Sequence, residues 1–537
     1  MSTNKSVLRS ATLIGFATLC SRILGFIRDI VIARLFGIYV YAQAFVIAFR
    51  IPNLLRDVVG EGASNAALVP VFSEYNTKHS KDEFWELANV VLNLLLVILM
   101  AITILGIVLS PIIVRIVAPG FISDPYKLET TIRLNRIIFP YILLIGLAAY
   151  AMGILNSLKH FAVPAFAPCL LNISIIVFAL VFGEEIKGLA LGVLVGGVLQ
   201  LAIQIPVLYR KGFRLKLFRR FTPLEISSKQ RGIAKFLTGF KHPAAKTIGL
   251  LMLPRLFSSA IYQLNNIVDS IFGSLAFIVG EGGVAALYFA YRLIQFPVGI
   301  FSNALSQAIL PTFSTQVLED AHHNLKNTLS FGLRAIFLVM LPTSIGFMVL
   351  AKPIIASLFG GGRFDSYSTN MTANALFFYS IGLSSYGLNK ILQSCFFALK
   401  DTVTPTKVSF LSFILNIILN TILIFPMKLS GLALATSISG TIACIILFVR
   451  LKPRIAKFDI RPIILSFLRI LVAGLCMGIV CLLVWNKFSG LANSGITKLL
   501  ILGLTILSGL VSYIAFCFIF RISEVQELWQ WVRRRKA

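Results

Sequence analysis

Apolar runs long enough to cross a bilayer recur along this chain almost from end to end, and few folds can accommodate that pattern. A helical span needs about 20 predominantly apolar residues. Such runs predict helices near 8–36, 40–75 (broken at Pro52), 85–117, 134–157, 163–182 and 188–208, then near 242–279, 284–313, 327–358, 371–398, 404–425 and 431–450, and finally near 463–486 and 497–520. In hydrocarbon the backbone must satisfy itself within each segment, which helices do. The expected fold is therefore an all-α polytopic membrane protein of about fourteen transmembrane helices. Composition agrees: the 537 residues are 57% hydrophobic and 13% charged, with a mean hydropathy of +0.88. Soluble domains sit near 45–50% apolar and about 25% charged, so soluble, disordered and disulfide-scaffold classes are excluded. The N-terminal run is interrupted by Arg22 and Arg28 with no small-residue cleavage site after it, so the first helix is expected to be retained.

The chain carries 49 basic and 21 acidic residues, a formal charge of +28. In a soluble protein this would suggest nucleic acid; in this class it reads as positive-inside bias, with no nucleic-acid partner. One set of predicted loops holds only Lys127, Arg133, Lys187, Arg363, Lys428 and Lys487. The opposite set holds Arg210, Lys211, Arg214, Lys216, Arg219, Arg220, Lys229, Arg231, Lys235 and Lys241 in one segment. It also holds Arg450, Lys452, Arg454, Lys457 and Arg461, and the tail Arg533–Lys536. That side, and with it both termini, is expected to be cytoplasmic. Segment 209–241 interleaves Phe213, Leu215, Leu217, Phe218 and Phe221 with its cations, as an interfacial helix against anionic lipid would, or as an ordinary basic loop would. Trp529 and Trp531 beside the terminal arginines read as an interfacial anchor.

The chain also repeats itself. Ala48-Phe49-Arg50-Ile51 matches Ala290-Tyr291-Arg292-Leu293; Val69-Pro70-Val71-Phe72-Ser73 matches Leu310-Pro311-Thr312-Phe313-Ser314; Pro111-Ile112-Ile113 matches Pro353-Ile354-Ile355. Leu158-Lys159 with Pro164 matches Leu399-Lys400 with Pro405, and Gly188-Leu189-Ala190-Leu191 matches Gly431-Leu432-Ala433-Leu434. The matches run in order at offsets of 241–243. Six helices per copy give a parallel repeat with one membrane orientation, an arrangement in which transporters place substrate between the halves. The expected organisation is an N-terminal six-helix lobe over 1–240 with the basic linker 209–240, a pseudo-symmetric six-helix lobe over 241–455, and two further helices with a basic tail over 456–537.

Charges inside spans cost at least about 2.5–3.5 kcal/mol each and usually face a cavity. In the first span Ser21, Arg22, Gly25, Arg28 and Asp29 fall within an arc of about 120°, opposite Ile23, Leu24, Phe26 and Ile27. At Gly25 a ligand could approach the backbone. Arg34 falls off this face and reads as interfacial or paired. The second span carries Arg50, Pro52-Asn53, Arg56, Asp57 and Glu61; the eighth places Arg292, Gln295, Gly299, Asn303 and Ser306 within about 80°. Arg255 and Asp269 lie in the seventh. A cationic cavity at the repeat interface is the simplest account. Guanidinium pairs bidentately with carboxylate or phosphate and stays charged, so the excess of Arg22, Arg28, Arg56 and Arg292 over Asp29 and Asp57 predicts an anionic substrate, best a phosphate or diphosphate. The competing reading pairs these arginines with Asp29 and Asp57 for structure alone.

Absences narrow the function further. No GxxxxGK[ST] or HExxH occurs, Gly360-Gly361-Gly362 lacks the lysine of a phosphate loop, and no nucleophile–base set stands out, so no enzyme is expected. The cysteines Cys20, Cys169, Cys395, Cys444, Cys476, Cys481 and Cys517 all lie in apolar runs without a CxxC, which predicts neither disulfides nor metal at these positions.

The first-span sequence Ser21-Arg22-Ile23-Leu24-Gly25-Phe26-Ile27-Arg28-Asp29, followed by Ala33-Arg34-Leu35-Phe36-Gly37, resembles the MurJ/MviN family. So do Pro52-Asn53-Leu54-Leu55-Arg56, Glu61-Gly62-Ala63, Val69-Pro70, Phe139-Pro140-Tyr141, and Pro164-Ala165-Phe166-Ala167-Pro168 with Leu171-Asn172. These are lipid II flippases of the multidrug/oligosaccharidyl-lipid/polysaccharide exporter superfamily. The resemblance implies fourteen helices, a cavity whose arginines (here Arg22, Arg28, Arg56 and Arg292, with Ser21, Asp29 and Gln295 beside them) hold a diphosphate, and a groove for the lipid tail along the final helix pair. Gln43 and Gln295 stand where many members carry aspartate and glutamate, which removes negative charge from that site. Some members bind sodium; the matching positions are Asp269, Asn416, Asn420 and Thr436, with Asn420 replacing an aspartate, so sodium is the one candidate cofactor. A hydrogen-bonded polar cluster within the lobe is the alternative.

The resemblance thus implies a flippase moving undecaprenyl-diphosphate-linked disaccharide-pentapeptide, lipid II, across the bacterial cytoplasmic membrane by alternating access, for peptidoglycan synthesis and with it cell shape. The partners it implies are lipid II, membrane lipids and the cell-wall synthesis machinery. A flippase for another polyprenyl-diphosphate-linked glycan, a non-transporting scaffold of wall synthesis, and a membrane enzyme acting on lipid diphosphate remain as alternatives at this stage.

Overall fold

The computed structural model describes residues 2–56, 68–216, 243–319, 322–455, 459–491 and 495–525, with side chains described outside 2–11, 54–56, 245–246, 251–263 and 322. Among these residues the chain is helical throughout, and its sole β feature is an isolated bridge between Gly361 and Phe364. Contacts divide it into two compact units, residues 1–32 with 40–267 and residues 33–39 with 268–537.

The first unit takes most of α1 (Ser2–Phe36), then α2 (Val40–Arg56), α3 (Val69–Lys78), α4 (Lys81–Val108), α5 (Ser110–Val117), α6 (Pro125–Ile138), α7 (Tyr141–Ser157), α8 (Ala162–Phe182), α9 (Ile186–Ala202), α10 (Ile205–Arg210) and α11 (Pro243–Gly273) as far as Ile267. One core of this unit packs Phe72, Phe84, Leu87, Tyr150, Ile154 and Phe213, with Phe72 and Phe84 edge to face at 5.6 Å. The α8–α9 pair is its most extensive helix contact. Gly192 and Gly196 make this possible: a Cβ on either would stand within 3 Å of the α8 backbone or of Leu171.

The second unit takes 33–39, the end of α11, α12 (Ala276–Val279), α13 (Gly283–Pro297), α14 (Asn303–Leu318), α15 (His322–Val349), α16 (Ala351–Leu358), α17 (Ser366–Ile381), α18 (Leu383–Ala398), α19 (Val403–Met427), α20 (Leu429–Leu451), α21 (Arg461–Phe488) and α22 (Gly495–Ile519). Within it the turn after α1 is gripped by the loop after α16. The Arg363 amide donates to the Arg34 carbonyl at 2.9 Å, the Arg34 guanidinium donates to Leu358 O at 3.1 Å, and the Tyr39 hydroxyl donates to Asp365 at 2.6 Å. Gly37 and Gly362 both sit at positive φ, and a Cβ on Gly362 would lie 2.2 Å from Arg34 O. The hairpin of α21 and α22 docks on α15: Tyr513 donates to Leu338 O at 2.8 Å, Phe337 meets Phe467 edge to face at 5.1 Å, and Glu524 pairs with Arg334 at 2.9 Å.

Ten helical stretches among the described residues are long and apolar enough to cross a membrane. They match ten of the fourteen expected spans. The other four expected spans are helical too, at α1, α2, α11 and α17–α18, but fall outside the ten. α1 carries Arg22, Arg28 and Asp29; α2 has 17 residues; and α17 and α18, of 16 residues each, meet at Gly382. Pro52 lies inside α2 and does not break it; the helix runs on to Arg56. The long runs expected near 85–117 and 327–358 do break, at Leu109 and Leu350. In both copies a proline follows closely, Pro111 and Pro353, where a missing N–H suits the first turn of a new helix.

The duplication is written into the backbone. Leu158, Lys159 and His160 donate to the carbonyls of Ile154, Asn156 and Leu155; Leu399, Lys400 and Asp401 donate to those of Cys395, Phe397 and Phe396 in the same pattern. Lys159 and Lys400 hold φ of 59° and 58°. This is the same helix-ending turn, with a left-handed residue just past the last helical one, built twice. Outside the packed helix faces, Leu468, Val472, Leu475, Ile479, Leu500, Leu507 and Val511 of the last hairpin stay exposed. A continuous apolar surface of that kind belongs in lipid.

Candidate functional site

The polar arc of α1 closes on itself. Arg28 and Asp29 are 3% and 1% exposed. Arg28 donates from Nε at 3.0 Å and from Nη2 at 2.7 Å to Asp29 Oδ1, and from Nη1 to Asn172 Oδ1 at 3.1 Å. Asn172, on α8, is itself fixed, because its amide donates to Ser21 O at 3.1 Å and to Pro168 O at 3.3 Å. The guanidinium carbon lies over the Phe49 ring, 5.8 Å from its centre. Three donors of the guanidinium fork thus go to a carboxylate and an amide, a geometry that pairs the buried group and fixes its orientation. Over Gly25 the structure places Asn172, whose Oδ1 lies 3.6 Å from where a Cβ would be. That close approach is made by a neighbouring amide, where the sequence reading had left room for a ligand.

Asn172 and Phe49 had no assigned role in the sequence reading. The available signal was an asparagine inside the apolar run 163–182, which in hydrocarbon has to find a partner. Ser21 and Arg22 are half-buried on the same helix. On α2, Arg50 donates to the Asn266 carbonyl of α11, and Gln43 is 1% exposed. Arg56 ends α2 with its side chain outside the described residues, as is that of Arg255; Asp57 and Glu61 lie outside them, as do the linker from 217 to 242 and the tail from 526.

In the second unit, Arg292 and Gln295 are both half-buried on α13. Arg292 donates from Nε to the Tyr288 hydroxyl at 3.3 Å and lies over that ring at 5.3 Å. The turn after them is not α-helical: Val298–Ser302 forms a π-helical turn directly behind Pro297. Such turns in membrane helices loosen the backbone ladder and often mark functional positions. Asn303 and Ser306 continue the face on α14, where Ser306 donates to Asn303 O at 3.0 Å.

Three of the four residues matched to a cation site join in one chain. Asn420 donates to Asn416 Oδ1 at 3.1 Å, Asn416 donates to Thr436 Oγ1 at 3.2 Å, and Thr436 donates to Leu432 O at 3.1 Å. Asn416 and Asn420 are 2% and 0% exposed, and Asn420 Oδ1 is buried with no hydrogen-bond partner. The fourth residue, Asp269, is half-buried on α11. The set offers oxygen alone, which suits a hard cation, and the unpartnered Asn420 oxygen is a ready ligand. No group of three or more His, Cys, Asp or Glu residues assembles among the described residues, and the seven cysteines are free thiols.

The family model described as Lipid II flippase MurJ matches residues 32–503. A probable lipid II flippase MurJ of Buchnera aphidicola subsp. Schizaphis graminum is 36% identical over 477 residues, 88% of each chain. The lipid II flippase MurJ of Burkholderia cenocepacia is 34% identical over 447 residues, 82% of this chain and 83% of its own. A solved structure of lipid II flippase MurJ in an inward closed conformation superposes with a TM-score of 0.76 at 28% identity, covering 95% of this chain and 98% of that one. An inward-facing MATE family transporter of the MOP superfamily shares the fold alone, with a TM-score of 0.65 at 18% identity over 81% of this chain and 95% of its own. With one family model spanning most of its length and relatives above 30% identity over more than four fifths of both chains, this chain belongs to the lipid II flippase MurJ family.

Proposed function

We propose that this chain is a lipid II flippase, a transporter and not an enzyme, that carries the undecaprenyl-diphosphate-linked peptidoglycan precursor from the inner to the outer leaflet. It works as a multi-pass protein of the bacterial cytoplasmic membrane. The observation that carries the reading is the family match over residues 32–503, reinforced by the MurJ structure that covers 95% of the chain. Both termini face the cytoplasm, on the side where the basic loops gather.

The diphosphate is held by Arg22, Arg28, Arg56 and Arg292, with Ser21, Asp29 and Gln295 beside them. Arg28 gives this reading its physical form. Its fork rests on Asp29 and Asn172, so substrate oxygen takes the place of the Asp29 carboxylate without any need to desolvate a free cation. The lobes then alternate access, and binding energy from the diphosphate offsets the loss of the Asp29 contact. Asn416, Asn420 and Thr436 with Asp269 would hold a sodium ion, which would supply a fixed positive charge within the second unit; the unpartnered Asn420 oxygen supports this assignment. The cell-wall synthesis machinery is the partner that consumes the product.

Rescue tests the function directly. A bacterium depleted of its own lipid II flippase is supplied with this chain or with Arg28→Ala at matched membrane levels, and growth is followed with the leaflet position of lipid II. Rescue by the native chain and failure of the variant are expected. Correct insertion without rescue points to another polyprenyl-diphosphate-linked glycan, and rescue by both chains overturns the arginine assignment.

A further inference from the structure

The start of the basic linker is a built structure. After α10 the backbone of Phe213–Lys216 passes along α4, and two buried asparagines of α4, 1% and 3% exposed, grip it. Asn89 donates to Arg214 O at 3.1 Å and accepts from the Lys216 amide at 2.8 Å, as a neighbouring β-strand would. One turn on, Asn93 donates to Lys216 O at 3.1 Å. Phe213 is the anchor, buried and edge to face with Trp85 at 5.7 Å. Phe213 alone of these residues turns inward; Arg214, Leu215 and Lys216 are exposed, together with Arg210 and Lys211 just before them. Arg214 is held in place, over the Tyr209 ring at 5.7 Å and donating to Tyr209 O at 3.1 Å.

This strip continues a lipid-facing surface. Val198, Leu199, Ile205, Tyr209 and Leu215 are each 39–51% exposed, and they descend from the apolar span Ile186–Arg210 into the four cations. Apolar side chains giving way to a tyrosine and then to arginine and lysine is the chemistry of a bilayer interface. The exposed acids of α4 nearby are Asp82, Glu83 and Glu86, and Glu83 is already taken by His79 at 2.8 Å. Cations therefore prevail along the strip. Buried amides are expensive to place unless hydrogen-bonded; Asn89 bonds to the loop backbone through both amide atoms and Asn93 through its Nδ2, while Asn93 Oδ1 stays buried without a partner.

We propose that residues 209–216 form a fixed docking site for the headgroups of anionic phospholipids. In it Arg210, Lys211, Arg214 and Lys216 bind the phosphodiesters, while Asn89 and Asn93 act as positioning residues. The four cations then bind as one rigid strip and lose no loop entropy on contact, which distinguishes them from a mobile basic loop. The site is independent of what the protein transports.

Trp85, which packs on the strip, is the reporter. The full chain carrying Trp485→Phe, Trp529→Phe and Trp531→Phe is reconstituted in phosphatidylcholine vesicles, and Trp85 quenching is titrated with brominated phosphatidylglycerol or brominated phosphatidylcholine. Half-maximal quenching is expected at a several-fold lower fraction of phosphatidylglycerol. Replacing the four exposed cations with glutamine should remove at least threefold of that preference. Asn89→Ala with Asn93→Ala should do the same although every cation remains. Equal quenching by the two lipids, or a preference untouched by the glutamine variant, overturns the proposal. So does displacement of brominated phosphatidylglycerol by undecaprenyl diphosphate at a tenfold lower fraction, which would make the strip a substrate contact. If the asparagine variant fails to fold, the glutamine variant, altered only at exposed side chains, decides.

Discussion

Asp29→Asn separates the two roles that Arg28 can play. The pair is 2.7 Å long, with side chains 4% and 1% exposed. Taking the charge from one member leaves the other buried and uncompensated, which costs about 3–5 kcal/mol. The asparagine still offers an oxygen to Arg28, and Asn172 still accepts from Nη1, so the loss belongs at the lower end, about 3 kcal/mol. For a folding unit of this size each 1 kcal/mol moves Tm by about 2–4 °C, giving a fall on the order of 6–12 °C. The assay is the loss of the monodisperse peak of a fluorescently tagged chain on heating in detergent. A fall under about 2 °C would refute the buried-charge argument. The companion variant, Arg28→Met with Asp29→Leu, replaces both charges with apolar groups, an exchange that is often neutral. It should recover native stability and still fail to move lipid II between leaflets. Transport by that double variant would sink the arginine assignment and leave the pair a purely structural one.

Three further outcomes are expected. Glu524→Gln strands Arg334 beside Ser466 and Ser523, so the last hairpin should loosen by about 3 kcal/mol, read as faster protease cleavage after Arg521 at unchanged membrane insertion. Asp401 lies in the loop between α18 and α19, where the Thr404 hydroxyl and amide and then the Arg454 guanidinium hold its carboxyl down to about 2. A carboxyl depressed in the folded state adds stability at neutral pH and loses it as pH falls from the ordinary carboxylate range near 4 to about 2. Wild-type protein should therefore lose Tm across that window, and Asp401→Asn should lose less. Sodium should raise Tm over an equal concentration of choline. Asn420→Leu should erase that difference and Asn420→Asp should enlarge it; no sodium effect in any of the three chains would discard the cation assignment.

Much of the architecture was legible because hydrocarbon imposes it. The length of the apolar runs follows from bilayer thickness, and ten stretches appear where those runs placed them. The repeat was legible at Leu158-Lys159 and Leu399-Lys400 because the helix-ending turn requires the same backbone at both. The polar arc of α1 was legible as well, but its closure was not. Arg28 and Asp29 are adjacent, and adjacent residues on a helix do not normally face one another. Only the long arginine stem, turned back and steadied by Asn172 from 144 positions away, brings them together. Likewise nothing in the spacing of Asn89 and Asn93 announces a backbone partner at 214–216, because a side-chain amide that imitates a strand can pair with any sequence.

The two copies show which features a duplicated membrane scaffold keeps and which it lets go. The breaks at Leu109 and Leu350, each followed closely by a proline, and the left-handed turns at Lys159 and Lys400 persist in both copies as the same backbone geometry. The polar groups on α4 and α15, both 28 residues long and in corresponding places, have diverged. α4 offers two neutral amides to the backbone of a connecting loop, and α15 offers Arg334 to the carboxylate of Glu524. Each choice suits what must be held. A loop backbone presents amides and carbonyls that asparagine can match without burying charge, whereas the end of the hairpin presents the carboxylate of Glu524, which an arginine matches. The docking residues therefore follow the segment each copy has to hold, and the segment attached to the first copy is the one that carries the cationic strip.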